Sequence, residues 1–128
     1  MDALPTWPDG TVAVLSTGAG APHAIPVSTA VRRGPRTIVL ALAATRESLA
    51  RLRKDPRCAL TVLAGDNVAF TAHGRAAIED GERVARVTIA VEAIQDHRRE
   101  TFVIDAGVRW HWTDPDAERA DLAVRATL

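Results

Sequence analysis

Alternating and continuous apolar runs dominate this chain, and only two short stretches read as helix. Thr11 to Ser16 is a short apolar run. Ala24 to Arg32 alternates, with Ile25, Val27, Thr29 and Val31 on one face and Ala24, Pro26, Ser28 and Ala30 on the other. Thr37 to Ala43 is apolar without a break, the pattern of a strand buried on both sides. Cys58 to Leu63 is another such run, and Val68 to Glu79 alternates again, placing Val68, Phe70, Ala72, Gly74, Ala76 and Ile78 on one face. Arg83 to Gln95 fits a helix at Val84, Val87, Val91 and Ile94. Its load of β-branched residues and the Asp80-Gly81 turn before it favour a strand. Residues 100–113 end in a further alternation, Val108, Trp110 and Trp112 against Arg109 and His111.

The two helical stretches carry boundary signals. Thr45 is positioned to cap a helix over Arg46 to Lys54, with Leu49 and Leu52 inward and Asp55-Pro56 as the stop. Asp114 as N-cap and Pro115 at N1 predict a terminal helix to about Ala126. Pro26 cannot donate to a ladder, so its strand lies at an edge or a bulge. The first ten residues hold two prolines and an Asp9-Gly10 turn signal, which places the start of the fold after them. Six or seven hairpin-linked strands with one helix between the third and fourth predict a small antiparallel barrel rather than a parallel α/β sheet.

At 128 residues the chain makes one domain, with a core over about residues 10–113 and the terminal helix beyond it. Sixteen basic and sixteen acidic residues cancel, so no long-range field draws in nucleic acid or an anionic membrane. Aromatic content of 4% leaves few stacking platforms, which counts against an oligonucleotide-binding barrel. Zero net charge favours self-association. No apolar run is long enough to span a bilayer, and the N-terminus has neither a basic region nor an apolar signal core. The expected location is cytoplasmic. The single cysteine, Cys58, sits in an apolar run and reads as a small buried residue.

Candidate chemistry concentrates at Thr45 to Arg57. A helix start offers free N–H groups and a positive dipole end, and Arg46, Arg51, Arg53, Lys54 and Arg57 surround it with charge suited to a phosphate. The same residues are also compatible with a solvated amphipathic helix, and Glu47 and Asp55 offset part of the charge. His23 precedes the Pro26 strand at the mouth of the expected barrel, and His73 lies on the polar face of its strand beside Arg75. Both are compatible with a substrate-side role or with none. The four histidines lack metal-ligand spacing, no serine sits in a Gly-x-Ser-x-Gly setting, and no dinucleotide-binding glycine loop follows a strand. Trp110 and Trp112 fit packing in the core or at an interface, or stacking on a ligand.

Three segments in this order, GAPHAIPVSTAV, TIVLALAATRESLARLRKDPRCALTV and VAFTAHGRAAIED, resemble the split β-barrel of the pyridoxamine 5'-phosphate oxidase-like flavoproteins. The likeness covers roughly residues 10 to 96 and is nearest to the actinobacterial branch that uses FMN or the deazaflavin F420. It implies a homodimer with cofactor sites at the subunit interface. It also implies a phosphate near Thr45, Arg46 and Ser48, and a flavin ring along the backbone of Val27, Ser28 and Thr29 and of Leu42, Ala43 and Ala44; the charges of this chain add Arg51 to the expected phosphate contacts. The protein's part in such chemistry is to bind, orient and tune the ring while it oxidises or reduces a small organic molecule. Members that hold the cofactor tightly often carry basic residues where this chain has Glu47 and Ser48, and an Asn where it has Arg51. The oxidase itself places Arg and Lys where Ile25 and Ala30 stand here. These departures argue against pyridoxamine-phosphate oxidation. They leave room for a second reading, a non-catalytic split barrel that holds a flavin, a haem or another planar ligand.

Overall fold

The computed structural model describes residues 1–128. Seven strands and two helices follow in the order β1 (Ala13–Thr17), β2 (His23–Val27), β3 (Val31–Gly34), β4 (Thr37–Ala43), α1 (Glu47–Lys54), β5 (Arg57–Ala64), β6 (Val68–Glu79), β7 (Val84–Asp96) and α2 (Pro115–Arg125). All pairings are antiparallel, in the sheet order β2-β1-β5-β6-β7-β4-β3. The expected split barrel with one inserted and one C-terminal helix is the architecture found.

What bends the sheet into a barrel is a break that the sequence pattern conceals. The alternation over Ala24 to Arg32 reads as one strand, but the structure divides it into β2 and β3, which lie at opposite edges of the sheet. Only Ser28, Thr29 and Ala30 join them. That link spans at most about 14 Å from Val27 to Val31. Two edges tied so closely force the sheet between them to curl. Pro26 sits on β2, an edge strand as expected for a residue with no amide proton.

The barrel interior is aliphatic. Leu15, Ile38, Leu40, Leu60, Val62, Phe70, Val87 and Ile89 are essentially without solvent exposure. Leu49 and Leu52 of α1 join the same cluster. Burying each such side chain contributes roughly 1.5–3 kcal/mol before entropy is counted. The alternating burial of Ala85, Val87, Ile89 and Val91 shows why β7 is a strand: one face enters the core at every second residue. At the β5–β6 turn, Asp66 and Asn67 both adopt positive φ, at 59° and 58°. β6 and β7 shift register between His73 and Gly74. A β-carbon on Gly74 would lie 2.2 Å from the Ala90 carbonyl oxygen, so the close strand approach requires glycine there. Arg36 secures the same bulge, donating to the carbonyls of Val91 at 3.2 Å and Glu92 at 2.5 Å.

Three expectations are corrected. The first ten residues belong to the fold: Leu4 is buried in the core, and the Trp7 ring packs on Phe70 with centroids 5.5 Å apart. Residues 103–112 form no strand, because the segment finds no ladder partner and is held through scattered contacts such as the Asn67 amide donating to the Ile104 carbonyl. Arg46, not Thr45, occupies the N-cap of α1, and no side chain caps that helix. Asp114 does cap α2, its carboxylate accepting from the Asp116 amide.

Candidate functional site

The split in the barrel lies where β2 and β4 part. The β3–β4 ladder ends at the Val31–Val39 pair. Two residues back from Val31, Thr29 spans to β4 with its side chain alone. Its hydroxyl donates to the Ala41 carbonyl at 3.1 Å and accepts from the Ala41 amide at 3.0 Å. Beyond that stitch β2 pairs only with β1. Of the residues expected to line a ring, Val27 and Leu42 are buried in the core, Ser28 and Thr29 are half-buried, and Ala43 and Ala44 are exposed, as is Thr45.

The chain runs from β4 directly into the start of α1, where the expected phosphate ligands lie. Arg46 is exposed and its side chain makes no hydrogen bond or ion pair. Ser48 is 1% exposed, and its Oγ shares a hydrogen bond of 3.2 Å with His23 Nε2. Arg51 is folded back on the β1–β2 turn, where its Nη1 donates to the carbonyls of Ala19 at 2.6 Å and Ala21 at 2.7 Å. Glu47 stands between the two basic side chains, 3.6 Å from His23 Nδ1 and 3.5 Å from Arg51 Nη2. Ala19, Gly20, Ala50 and Lys54 complete a surface depression of about 240 Å³ beside Glu47 and Arg51. The corner therefore has the dipole and the charge for an anion, but most of its donors already have partners.

His23 and His73 do not meet. His23 pairs with Thr17, Thr17 with Cys58 and Cys58 with Gly74, so three ladder steps of about 4.8 Å separate the two regions. His73 faces an open groove of about 390 Å³ with Ser16, Thr17 and Arg57. Burial pushes the Cys58 thiol up to about 11, which leaves it inert at neutral pH. No group of three or more His, Cys, Asp or Glu side chains is placed to hold a metal ion. No helix is long and apolar enough to cross a membrane.

Tertiary contacts bring further polar and aromatic residues into play. Arg125 of α2 donates from Nη2 to the Ser28 carbonyl at 2.6 Å, and its Nε donates to Asp121 at 2.5 Å. Trp110 lines a pocket of about 230 Å³ with Val12, Pro26, Val27 and Ser28, its indole N–H fixed on the Gly10 carbonyl at 2.9 Å. Trp112 packs edge-on against it, the centroids 5.3 Å apart. On the outer face of β5 and β6, Thr61, Thr71 and His97 form a hydrogen-bonded row, with steps of 2.8 and 2.7 Å. Of these residues the sequence marks only the tryptophans, by their shared face in a chain poor in aromatics.

The family model for pyridoxamine 5'-phosphate oxidase matches residues 4–113. No curated protein sequence matches the chain. Among solved structures, BorF, the flavin reductase component of a bacterial two-component tryptophan halogenase, superposes with a TM-score of 0.61 at 13% identity, over 70% of this chain and 81% of that one. HupZ of group A Streptococcus gives a TM-score of 0.60 at 14% identity, over 77% and 90%. A heme binding protein from Mycobacterium smegmatis gives 0.56 at 18% identity, over 67% of this chain and 48% of that one. At these identities the likeness is one of fold.

Proposed function

The chain belongs to the pyridoxamine 5'-phosphate oxidase family, and from that premise we propose that it holds the planar ring of FMN or F420 between the end of β2 and the end of β4 and acts as an oxidoreductase on a small organic molecule. The observation that carries this reading is the Thr29–Ala41 contact, which ties the Ser28–Ala30 link to β4 close to the small, exposed residues Ala43, Ala44 and Thr45. Val27, Ser28, Thr29, Leu42, Ala43 and Ala44 line the ring, and Thr45, Arg46, Ser48 and Arg51 receive the tail. A bound flavin supplies hydride transfer at its ring. The chain's own contribution is to position the ring and to keep one face of it in an apolar wall. His23, beside the mouth, and His73, in the groove across the sheet, are the substrate-side candidates.

A homodimer and a cytoplasmic location belong to the same proposal. The dimer is supported by apolar side chains left on the outer surface, including Val14 at 41% and Leu63 at 47% exposure on the neighbouring strands β1 and β5. Exposed apolar side chains on one sheet face favour a second copy.

A second reading, a non-catalytic holder of a flavin, haem or other planar ligand, is favoured by one specific observation: Ser48 and Arg51 already spend their donors inside the protein. Titration with FMN and with F420, read by fluorescence and followed by chemical reduction and reoxidation with candidate acceptors, separates the two. Micromolar binding with turnover supports the oxidoreductase. Binding without any change of redox state supports the holder. Absence of binding by either cofactor defeats the first reading.

A further inference from the structure

Trp110 lines two depressions of different character. One, of about 370 Å³, contains Asp9 and Arg109. The other, of about 230 Å³, is closed by Val12, Pro26, Val27 and Ser28 and has no charged side chain in its lining. Both ends of this second pocket are fixed. The Trp110 indole N–H donates to the Gly10 carbonyl at 2.9 Å, and Trp112 braces the ring edge-on. Opposite, Arg125 donates to the Ser28 carbonyl at 2.6 Å and is itself paired with Asp121. Trp110 nevertheless keeps 40% exposure, and Pro26 is exposed. A large aromatic surface is thus held rigid and left open beside an apolar strand edge. We infer that this pocket is a binding site for an uncharged planar aromatic molecule of one or two fused rings that stacks on Trp110. Stacking gains more than area burial alone, and a preformed pocket spares the cost of ordering. A charged ring would lose hydration without finding a partner in the lining. The volume lies below the roughly 300–1,000 Å³ of pockets for drug-sized ligands, which sets the size of the occupant. Val27 and Ser28 also belong to the proposed ring wall, so the pocket adjoins that site. As the place of the oxidoreductase's substrate it rests on the ring reading; as a pocket for aromatics it does not.

The test titrates the full ¹⁵N-labelled chain with β-naphthol and with its anionic counterpart β-naphthoate. β-Naphthol is expected to shift the Trp110 indole N–H and the Val12 and Val27 amides saturably, with a Kd of about 1 mM or tighter, and β-naphthoate to bind at least about fivefold more weakly. Trp110→Leu keeps an apolar side chain and loses the flat ring; it should weaken β-naphthol about three- to tenfold, read at Val12, while Trp110→Phe stays within about twofold. Val12→Lys leaves Trp110 in place and brings a cation to the pocket, so it should reverse the preference in favour of β-naphthoate. Absence of a saturable response to β-naphthol, equal binding of the two probes, or undiminished binding by Trp110→Leu overturns the inference. A Trp110 signal that moves with protein concentration and not with β-naphthol gives the pocket to a second copy and also overturns it. Saturating FMN or F420 should leave the β-naphthol shifts in place; displacement would put the cofactor ring itself in this pocket and overturn the inference. Failure of both cofactors to bind, with β-naphthol behaving as expected, defeats the ring reading alone.

Discussion

Thr29 and Ala41 exchange two hydrogen bonds, one through the amide and one through the carbonyl of Ala41, so a single hydroxyl replaces a rung of backbone ladder. The chain changes sheet edge here, and this contact ties the link between the two edges to β4. Thr29→Val keeps the shape and removes both bonds, leaving two half-buried backbone groups of Ala41 unpaired. It is expected to cost about 1–3 kcal/mol. Thr29→Ser retains the hydroxyl and should recover most of that loss. Urea unfolding of the three proteins measures it, and a Val variant as stable as the native chain would remove the stitch from the account.

Gly74 is the second fixed point. Its absent side chain allows the Ala90 carbonyl to approach within 2.2 Å of where a β-carbon would sit, and both neighbours are backbone atoms of paired strands. Gly74→Ala should therefore destabilise by about 3 kcal/mol or more, or yield insoluble protein. A soluble variant with an unchanged melting temperature would show that β7 moves aside freely.

Acid sensitivity follows from the carboxylates. The side-chain hydrogen bonds of Arg57, and then its backbone amide, lower Asp55 to about 2. Arg98 likewise holds Asp96 well below its usual range, and Arg53 lowers Asp80. A carboxylate depressed in the folded state contributes stability that is complete above its ordinary value near 4 and is lost as pH falls toward the folded value. The urea midpoint should be level from about pH 7 to 5 and fall between about pH 4 and 2, with a shallower fall for Asp55→Asn. These pairs are exposed, so the effect should shrink in high salt. A midpoint unchanged down to pH 2.5 would contradict this.

Arg46 is the uncommitted cation at the helix start. Arg46→Glu reverses its charge beside the proposed tail position without breaking any contact. FMN binding should weaken at least about tenfold at low salt, while the melting temperature stays within about 2 °C. Unchanged FMN affinity would remove Arg46 from the proposed site.

Strand periodicity, the Asp-Pro helix stop, the Asp-Gly turn and the Asp-Pro helix start were all legible because each is a local rule, satisfied within a few residues. They were enough to predict strands, two helices and a barrel, and the resemblance carried by three segments was enough to indicate the family. Four features were not legible for one physical reason: they depend on partners far away in the chain. The break at Ser28–Ala30 is invisible in an alternating pattern, because only the curl of the whole sheet sends Val27 and Val31 to opposite edges. Leu4 and Trp7 look like a loose leader until the barrel presents Phe70 to them. The alternation around Trp110 has the period of a strand, but no ladder is free to accept it. At the candidate site, the sequence determined which charges surround the helix start. The tertiary structure decided which of them are available, because the β1–β2 turn supplies the carbonyls that claim Arg51 and β2 supplies the imidazole that claims Ser48.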